Sequence, residues 1–269
     1  MRERVVLKWG GGLITEKDRF KTVREDVMDH LAQQLEQVLA HGVDVLLVHG
    51  AGSFGHLKAK EYRLAEGHLE HPTFSGQLTQ QEAIAEVRQD MLELNEHVLR
   101  ALTKFDISAV SLAPHLWARN TGPSFDGDLS LFEDAPRGIV MVTHGDVVDC
   151  DEPQQFGILS GDDLVVRLAT ELSGVKRLVF AMGGVEGVLS QPPSNTTEPI
   201  LIERLTEHHL FEGEHAVEMD VTGGIGLKVN RGFMVHNAGV DVLLVSGEHE
   251  HRVAQACLGE AVRGTKLAS

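Results

Sequence analysis

The hydrophobic positions of this chain alternate between short continuous runs and longer stretches with helical spacing. Residues 5–7 are a continuous apolar run, and residues 43–48 are apolar except for Asp44. This pattern is typical of strands that are covered on both faces. Between them, apolar side chains three or four positions apart, among them Val27, Leu31 and Leu35, indicate an amphipathic helix. The order strand, helix, strand predicts a βαβ unit at the start of the chain.

The same alternation continues to the end of the sequence. Ile84, Val87 and Met91 lie three or four positions apart within residues 78–102, which predicts a long amphipathic helix. Strands are also predicted at residues 107–112, 139–142, 147–148, 178–181 and 242–245, a hairpin or flap at 120–127, helices after Ser160 and after Thr222, and a loop at 191–198. Together these elements predict an α/β fold, a three-layer αβα sandwich with a mainly parallel central sheet.

The charge balance limits the partners of such a protein. The chain of 269 residues has 40 Asp and Glu against 24 Lys and Arg, a net charge of −16. This charge repels a nucleic-acid backbone and argues against a nucleic-acid partner. An enzyme of this composition that acts on anions needs a local positive field, built from a few lysines and from backbone N–H groups.

Length and cysteine content favour one compact unit in a reducing compartment. We expect residues 1–269 to form a single domain. Cys150 and Cys257 are far apart and have no metal-ligand spacing, which favours the cytoplasm over an oxidising compartment. No apolar stretch approaches the roughly 20 residues that span a bilayer, so neither a signal peptide nor a membrane partner is expected.

Two glycine-rich segments directly follow the first two predicted strands. Lys8 precedes Gly10, Gly11 and Gly12, and the stretch HGAGSFGH begins at His49. Ligands of parallel sheets lie at the carboxyl ends of strands, so both segments are candidate phosphate loops. Glycines admit close backbone approach, and Lys8 supplies a charge. The alternative for the first segment is a tight turn with a solvated lysine. The second segment fits neither a Walker A nor a clean GxGxxG pattern, so its alternative is a structural turn.

His56 ends the second glycine segment, at the expected start of a helix. A histidine in this position can donate a hydrogen bond to a phosphate from either protonation state. The alternative is a histidine with a purely structural role.

Two later segments combine glycines with charged residues at predicted helix starts. Ser160 and Gly161 precede the adjacent carboxylates Asp162 and Asp163, which either cap the helix or orient catalytic lysines for phosphoryl transfer. The stretch DVTGGIGLK places Lys228 about one turn into a helix opened by threonine and glycines, a pattern suited to nucleotide phosphates.

In their order along the chain, these segments resemble the amino acid kinase superfamily, and within it most closely the isopentenyl phosphate kinases. The resemblance covers nearly the whole chain through VLKWGGGLITEK, VHGAGSFGH, GDVVD, GILSGDD, DVTGGIGLKV and GTKL. SFGH, SGDD and DVTGG separate this group from glutamate, acetylglutamate, carbamate and uridylate kinases. The resemblance implies the amino acid kinase fold and ATP-dependent phosphorylation of isopentenyl phosphate to isopentenyl diphosphate in isoprenoid biosynthesis. It also implies an acceptor-binding lobe over about residues 1–150 and an ATP-binding lobe over 151–269.

The resemblance further implies roles for individual residues. Lys8 resembles the lysine that bridges the transferred phosphate, Lys17 the second lysine that reaches the nucleotide, and Lys228 the third, on the ATP side. His56 resembles the histidine that holds the acceptor phosphate, and Asp162 the carboxylate that organises the lysines. The implied acceptor contacts are Gly11, Gly12, Ala51, Gly52, Ser53, His56, Gly157, Ile158 and Ser160. The implied ATP contacts are Lys8, Gly10, Lys17, Gly184, Gly187, Thr222, Gly223, Gly224 and Lys228. ATP and Mg²⁺ are the implied cofactors, with no protein ligand assigned to the metal, and relatives imply a homodimer.

Transfer between two phosphates gathers several negative charges, so charge neutralisation and alignment should outweigh base catalysis. The ionised phosphate acceptor requires no strong general base. Magnesium is expected to bridge the ATP phosphates. The prenyl tail requires an apolar channel, for which the long helix offers Ala83, Ile84, Val87 and Met91, with plain core packing as the alternative.

The chain departs from the family pattern at two places. Leu13 follows the glycine triplet where the family usually has Gly-Gly-Ser, which removes a hydroxyl near the phosphates. The family usually has an Asp-Val-Asp-Gly type segment where this chain reads Gly184, Val185, Glu186 and Gly187, so the first aspartate is lost from a region that contacts the nucleotide.

Two other functions fit the same motifs. One is a kinase for another small phosphate or phosphonate, as in the fosfomycin-type resistance kinases, which need a smaller and more polar acceptor pocket. The other is a non-catalytic nucleotide-binding relative of the same fold. A sensor has no need of the transfer machinery, so five residues present in this chain argue against this last function: Lys8, Lys17, His56, Asp162 and Lys228.

Overall fold

The computed structural model describes residues 3–16, 19–190, 200–207 and 224–269. Within these ranges the chain forms twelve strands, eight α-helices and two short 3₁₀ segments. The strands are β1 (Arg4–Trp9), β2 (Asp44–His49), β3 (Ala109–Ser111), β4 (Ala118–Arg119), β5 (Asp126–Gly127), β6 (Val140–His144), β7 (Asp146–Asp149), β8 (Phe156–Leu159), β9 (Val175–Met182), β10 (Arg204–Thr206), β11 (Asp241–Ser246) and β12 (Thr265–Ala268). The helices are α1 (Gly11–Ile14), α2 (Glu25–Ala40), α3 (Gly52–Glu61), α4 (Gln80–Lys104), α5 (Ser130–Glu133), α6 (Gly161–Glu171), α7 (Ile225–Asn237) and α8 (Arg252–Leu258).

Eight strands form the main sheet, in the order β10-β12-β11-β9-β1-β2-β6-β3. The six strands from β11 to β3 are parallel to one another, and β12 is antiparallel to β11. β1 and β2 are buried along their whole length, as their apolar runs require of central strands. The prediction of a mainly parallel sheet is confirmed.

Helices cover both faces of this sheet. Alternate residues of β1 point in opposite directions, so Val5 and Leu7 pack into a cluster with α2, α4 and α8, and Val6 packs into a second cluster with α6 and α7. Both clusters consist of buried aliphatic and aromatic side chains. The three-layer αβα arrangement predicted from the sequence is therefore confirmed.

The two long predicted helices begin and end where their sequence indicates. α2 is followed by Gly42 in the left-handed region at φ +78°, a conformation that glycine adopts without strain. α4 begins with a capping box, in which Thr79 and Glu82 each accept from the other's backbone N–H. α4 packs against α2 and α3 and forms the largest wall of the first cluster.

A second sheet of four strands, in the order β5-β4-β7-β8, lies at the carboxyl end of β6. β7 is separated from β6 only by Gly145, and β8 leads directly into Ser160, the N-cap of α6. The predicted hairpin at residues 120–127 is confirmed, because β4 and β5 are antiparallel. Arg88 of α4 donates to the Val147 carbonyl at 2.9 Å and ties this sheet to the main body.

Both halves of the chain build the main sheet, with β1, β2, β3 and β6 from the first and β9 to β12 from the second. None of the helices in the described ranges is long and apolar enough to cross a bilayer. The loop predicted at residues 191–198 lies outside the described residues, as does Thr222. The helix predicted after Thr222 is present as α7.

Candidate active site

Five adjacent strands of the main sheet each end directly before a glycine. These are Gly247 after β11, Gly183 after β9, Gly10 after β1, Gly50 after β2 and Gly145 after β6. The amide of Gly10 donates to Ala181 O at 2.9 Å, that of Gly50 to Trp9 O at 3.0 Å, and that of Gly145 to His49 O at 3.1 Å. The carboxyl edge of the sheet is therefore a continuous band of main chain with almost no side-chain bulk, as a ligand site in a parallel sheet requires.

The first two glycine segments pack directly on each other. A Cβ added to Gly50 would lie 2.6 Å from the amide nitrogen of Gly11, and one added to Gly11 would lie still closer to that of Gly52. Gly52 also adopts φ +51°. Side chains at these positions would separate the two segments, so the glycines are required by this close approach of backbones.

Thr15 forms hydrogen bonds to both of these glycine-rich segments. Its hydroxyl donates to Gly11 O at 2.9 Å and accepts from the amide of Ser53 at 3.0 Å. Thr15 is buried, and it joins the end of α1 to the start of α3. The sequence did not identify this residue, because the contact connects positions 38 residues apart.

Lys8, Asp162 and Lys228 meet beside this band of glycines. Lys8 lies near the end of β1, Asp162 in the first turn of α6, and Lys228 in α7. The two carboxylate oxygens of Asp162 are divided between the lysines, with Oδ1 on Lys8 Nζ and Oδ2 3.4 Å from Lys228 Nζ. Three residues predicted as catalytic are thus brought into direct contact, and Asp162 holds both ammonium groups.

The burial of this group shapes its electrostatics. Burial lowers the pKa of Lys8 to about 8, and Asp162 only partly offsets that effect. Burial also opposes ionisation of Asp162, but Lys8 and Lys228 outweigh it and hold its pKa below the usual value. Asp162 is therefore a carboxylate at neutral pH, and Lys8 is an ammonium whose charge depends on its neighbours.

Asp163 has a different task from its neighbour. Its amide donates to Ser160 Oγ at 3.0 Å, the Ser160 hydroxyl donates to its carboxylate at 2.7 Å, and Arg231 Nε donates to it at 2.7 Å. Asp163 therefore takes part in the cap of α6, whereas Asp162 contacts the two lysines. Its role in orienting them for phosphoryl transfer stays a prediction. Arg231 was not identified from the sequence, although it lies one turn after Lys228.

The residues predicted to bind the acceptor lie in two groups. Ala51 is the N-cap of α3, Gly52 and Ser53 open the helix, and half-buried His56 follows one turn later. The first amide groups of a helix have no intrahelical acceptor and favour anions. Gly11 and Gly12 lie opposite, in the first turn of α1.

Gly157, Ile158 and Ser160 form the second group, on β8 and at the start of α6. Gly157 is enclosed by the small sheet, because an added Cβ would lie 2.7 Å from Gln154 and 2.8 Å from Thr121. This close packing within the small sheet explains why position 157 is a glycine. Ser160 caps α6, which also contains Asp162.

The loop after β9 contains the residues predicted to contact ATP on the far side. Gly184 adopts φ +75° and donates its amide to Glu248 at 3.0 Å. Gly187 is packed closely, with an added Cβ 2.6 Å from Thr265 Oγ1. Between them, the Glu186 carboxylate accepts from Arg252 at 3.1 Å and from Arg263. The position that departs from the family pattern is thus part of a charge network at this edge.

Three predicted site residues, Lys17, Thr222 and Gly223, lie outside the described residues, and their roles stay predictions. Gly224, the N-cap of α7, is described and lies one turn before Lys228. Lys21, four residues after Lys17, contacts the start of α3, because its amide donates to Ser53 O at 3.4 Å.

The candidates for a prenyl channel are all buried in the first hydrophobic cluster. Ala83, Ile84, Val87 and Met91 are each at most 4% exposed. The sulfur of Met91 would lie 3.3 Å from a Cβ added to Gly55, the neighbour of His56. The structure places these side chains in the core, directly beneath the helix that carries His56.

Comparison with known proteins is consistent across sequence and structure. Residues 3–246 match the family model described as the amino acid kinase family. An isopentenyl phosphate kinase from Methanothermobacter thermautotrophicus is 31% identical over 273 residues, which cover 98% of this chain and 98% of that protein. An isopentenyl phosphate kinase from Thermoplasma acidophilum is 31% identical over 268 residues, covering 96% of this chain and 100% of that protein. An X-ray structure of isopentenyl phosphate kinase superposes with a TM-score of 0.80 at 27% identity, covering 98% of this chain and 100% of that chain.

Proposed function

Since the chain belongs to the amino acid kinase family, we propose that it is an isopentenyl phosphate kinase, which transfers the terminal phosphoryl group of ATP to isopentenyl phosphate. Relatives with that name match it along nearly their whole length and its own. The product of this reaction is isopentenyl diphosphate, so the enzyme acts in isoprenoid biosynthesis.

The observation that carries the proposal is the division of one buried carboxylate between two lysines at the glycine edge. Asp162 keeps Lys8 and Lys228 close together although both are cations. A phosphoryl group in transit carries charge on several oxygens, and fixed ammonium groups that need no reorganisation stabilise that charge. In our proposal Lys8 bridges the transferred group, and Lys228 holds the nucleotide.

The two substrates approach this centre from opposite sides in our proposal. The acceptor phosphate binds at the start of α3, where His56 and the amides of Ala51 and Gly52 receive it, within the first 150 residues. ATP binds along the loop after β9 and the start of α7, within residues 151–269. Ser160 and Asp162 belong to the second half by sequence and lie at the boundary between the two sites.

Magnesium enters this site with ATP in our proposal. No cluster of three or more His, Cys, Asp or Glu suited to a metal occurs among the residues that the structure describes, and both oxygens of Asp162 face ammonium groups. Phosphate oxygens and water are therefore the ligands that suit Mg²⁺ here, in keeping with its usual retention of several waters. When bound, Mg²⁺ offsets part of the phosphate charge.

The prenyl tail of the acceptor lies between α3 and α4 in our proposal. His56 fixes the phosphate at one end, and the close contact of Gly55 with Met91 marks where the apolar interior begins. Opening of this contact gives the tail access to Val87 and Ile84. A larger side chain at Gly55 would close that entrance.

A panel of acceptors tests the function. ADP release from ATP is measured with isopentenyl phosphate, dimethylallyl phosphate, geranyl phosphate and fosfomycin, each titrated to give kcat/KM. The largest value is expected for isopentenyl phosphate. A largest value for fosfomycin would assign the chain to phosphonate kinases, and ATP binding without turnover of any acceptor would identify a non-catalytic relative.

Two substitutions test the assigned residues. Lys8→Ala and His56→Ala are expected to lower kcat by about 10²- to 10³-fold with the fold retained, because each removes a preorganised positive group or donor. Lys60→Ala, which changes an exposed lysine on α3, is the matched control and should keep normal turnover. Normal turnover of His56→Ala on isopentenyl phosphate would contradict its role.

A homodimer and a cytoplasmic location remain predictions. Light scattering with size-exclusion chromatography measures the first, and cell fractionation the second. The chain is expected to elute as a dimer of about twice its 29.4 kDa mass.

A further inference from the structure

A buried row of polar rings lies directly beneath the glycine edge. Trp9, His49 and His144 are the last residues of β1, β2 and β6, and they are neighbours in register across the three parallel strands. None of the three has any solvent exposure. Each is followed at once by a glycine of the edge band. The row faces α4, since Asn95 of that helix contacts His49.

The two histidines make the same hydrogen bond. His49 Nδ1 lies 3.2 Å from the carbonyl oxygen of Gly50, and His144 Nδ1 lies 3.0 Å from that of Gly145. The rings themselves are 5.0 Å apart between centroids. A carbonyl can only accept, so in both residues Nδ1 carries the proton.

Neutral rings leave their second nitrogens as acceptors. Burial lowers the pKa of His49 to about 3 and also lowers that of His144, so neither ring is charged near neutral pH. Asn95 Oδ1 is placed 3.2 Å from His49 Nε2. With the proton of His49 on Nδ1, this contact requires the Asn95 amide to be turned so that its NH₂ group faces Nε2, because two acceptors cannot bond. In the described part of the chain, His144 Nε2 is one of two buried side-chain nitrogens without a hydrogen-bond partner, and the other is Trp9 Nε1.

An apolar residue would avoid this orphaned acceptor. A buried polar atom without a partner is costly, so packing alone favours leucine or phenylalanine over histidine at position 144. The histidine is explained if its Nδ1–H is needed on the Gly145 carbonyl. The same donor at position 49 acts on the Gly50 carbonyl.

Holding a carbonyl fixes the direction of the next amide. In a trans peptide the C=O and the following N–H point in opposite directions. His49 draws the Gly50 carbonyl toward the α4 face and so turns the N–H of Ala51, at the start of α3, away from that face. His144 fixes the Gly145 peptide in the same way. Gly145 lies close to α6, where an added Cβ would be 3.3 Å from the amide nitrogen of Gly161, the residue before Asp162.

We propose that His49 and His144 are positioning residues of the phosphoryl-transfer site, which set two peptide planes of the glycine edge through their Nδ1–H groups. The proposal rests on the kinase function proposed above. His49 acts on the amide that receives the acceptor phosphate, and His144 acts on the backbone that carries Asp162. The two residues therefore affect different kinetic constants.

Paired substitutions separate this role from simple packing. Asparagine retains a donor at the place of Nδ1 but leaves a larger void, whereas leucine fills the volume and has no donor. His49→Leu is expected to raise KM for isopentenyl phosphate about tenfold, and His144→Leu to lower kcat about tenfold, as for loss of one hydrogen bond to a charged group. His49→Asn and His144→Asn should stay within about threefold of the wild type. KM for ATP should not change in the His49 variants.

The expected order of thermal stability among these variants is the opposite of their expected order of activity. Thermal unfolding should rank the leucine variants above the asparagine variants, because asparagine leaves a cavity. His41→Leu is the matched control: His41 Nδ1 lies 2.7 Å from the Gln37 carbonyl at the end of α2, away from the edge. That variant should keep wild-type kinetics. Activity that follows stability, with leucine above asparagine, would overturn the proposal.

Nuclear magnetic resonance tests the tautomers without any turnover. Long-range ¹H–¹⁵N spectra of ¹⁵N-histidine-labelled protein, assigned with the two asparagine variants, should show a proton on Nδ1 of both rings at neutral pH. A proton on Nε2 of either ring would overturn its role whatever the kinetics. Wild-type protein without activity on any acceptor would overturn the kinase function and this inference together, whereas an active wild type with four unaltered variants would overturn the inference alone.

Discussion

In the proposed function Lys8 must be charged to assist phosphoryl transfer, yet its burial favours the neutral amine. Burial lowers its pKa to about 8 in the ligand-free protein, despite Asp162. The phosphates of ATP add negative charge beside the amine and so raise its pKa in the complex. A base whose pKa is higher in the complex than in the free protein binds its ligand together with a proton.

ATP affinity should therefore fall as the pH rises above about 8, the pKa of free Lys8. Below that pH the lysine is already charged, and above it each binding event must first protonate the amine. Titration calorimetry at about pH 8.5, in buffers of different ionisation enthalpy, should show proton uptake on binding of ATP, which is itself fully ionised there. Binding without proton uptake would show that Lys8 keeps an ordinary pKa.

Asp162→Asn provides a second test of this assignment of the pH dependence to Lys8. The carboxylate raises the pKa of Lys8 against the effect of burial, so its loss should move the decline in ATP affinity to lower pH. Lys58→Met provides the comparison, since Lys58 pairs with Asp90 and Glu86 in an ion-pair cluster between α3 and α4. It should leave the pH at which affinity declines unchanged.

At the scale of elements, α6 and α7 are joined by two ion pairs one helical turn apart. Lys228 reaches Asp162 at 3.4 Å and Arg231 reaches Asp163 at 2.7 Å. Residues three positions apart on a helix share a face, so Arg231 fixes the same face that presents Lys228. Asp163 is itself held by Ser160, which makes this pair the firmer of the two.

Arg231→Met should lower kcat/KM for ATP about tenfold while leaving KM for the acceptor unchanged. The change releases the face of α7 that carries Lys228 and leaves Asp163 buried without its cation, at a cost of about 1–3 kcal/mol in the free energy of unfolding. Steady-state kinetics and chemical denaturation measure the two effects. Arg231→Lys should have a kcat/KM for ATP between those of Arg231→Met and the wild type, since it retains a cation on this face of α7.

Lys104→Met is the control for Arg231→Met. It also breaks an ion pair between two helices, Lys104 of α4 with Asp29 of α2 at 2.9 Å, but this pair is exposed. Exposed pairs contribute about 0–1 kcal/mol, and Lys104 is far in sequence from every candidate site residue. Equal effects of the two variants on ATP kinetics would show that Arg231 has only a general stabilising role.

The elements that could be predicted from the sequence are those whose pattern is determined by burial alone. β1, β2, α2 and α4 repeat apolar residues at strand or helix spacing because they lie against the core. The pairing of the strands could not be predicted from such local patterns. Residues 147–148 form an apolar run like those of the main sheet, but β7 pairs with β8 and β4 in the small sheet, which no local pattern distinguishes.

The sequence likewise predicted only part of the candidate site. Lys8, Asp162 and Lys228 were identified through motifs, and the structure brings them into contact. Thr15 and Arg231 were not, because each acts through a contact with a distant part of the chain. The glycines after β6, β9 and β11 carry a signal that was available in the sequence: each lies within three residues of the end of an apolar run.

At the scale of the whole molecule, the two proposed binding regions share one sheet. β1, from the first half, lies between β2 and β9, and it pairs with each over six residues. The boundary near residue 150 falls inside the β7–β8 hairpin, where Asp149 faces Phe156. Neither half can keep its core when the other unfolds, because Val5 and Leu7 pack among side chains from both.

Thermal unfolding should therefore be a single cooperative transition, with equal calorimetric and van't Hoff enthalpies. Saturation with ATP at 100 times its dissociation constant should stabilise the folded state by about 2.7 kcal/mol, and the whole transition should move upward by several degrees. Lys8→Ala should keep one transition but lose most of the shift, because its nucleotide affinity is reduced. Two transitions of which ATP moves only one would mean that the halves are separate folding units, and the contacts of β1 with β9 would then contribute little to stability. Differential scanning calorimetry of the full chain decides between these outcomes. The single transition is the expected one, because β1, which bears Lys8, pairs with a strand from each half of the chain.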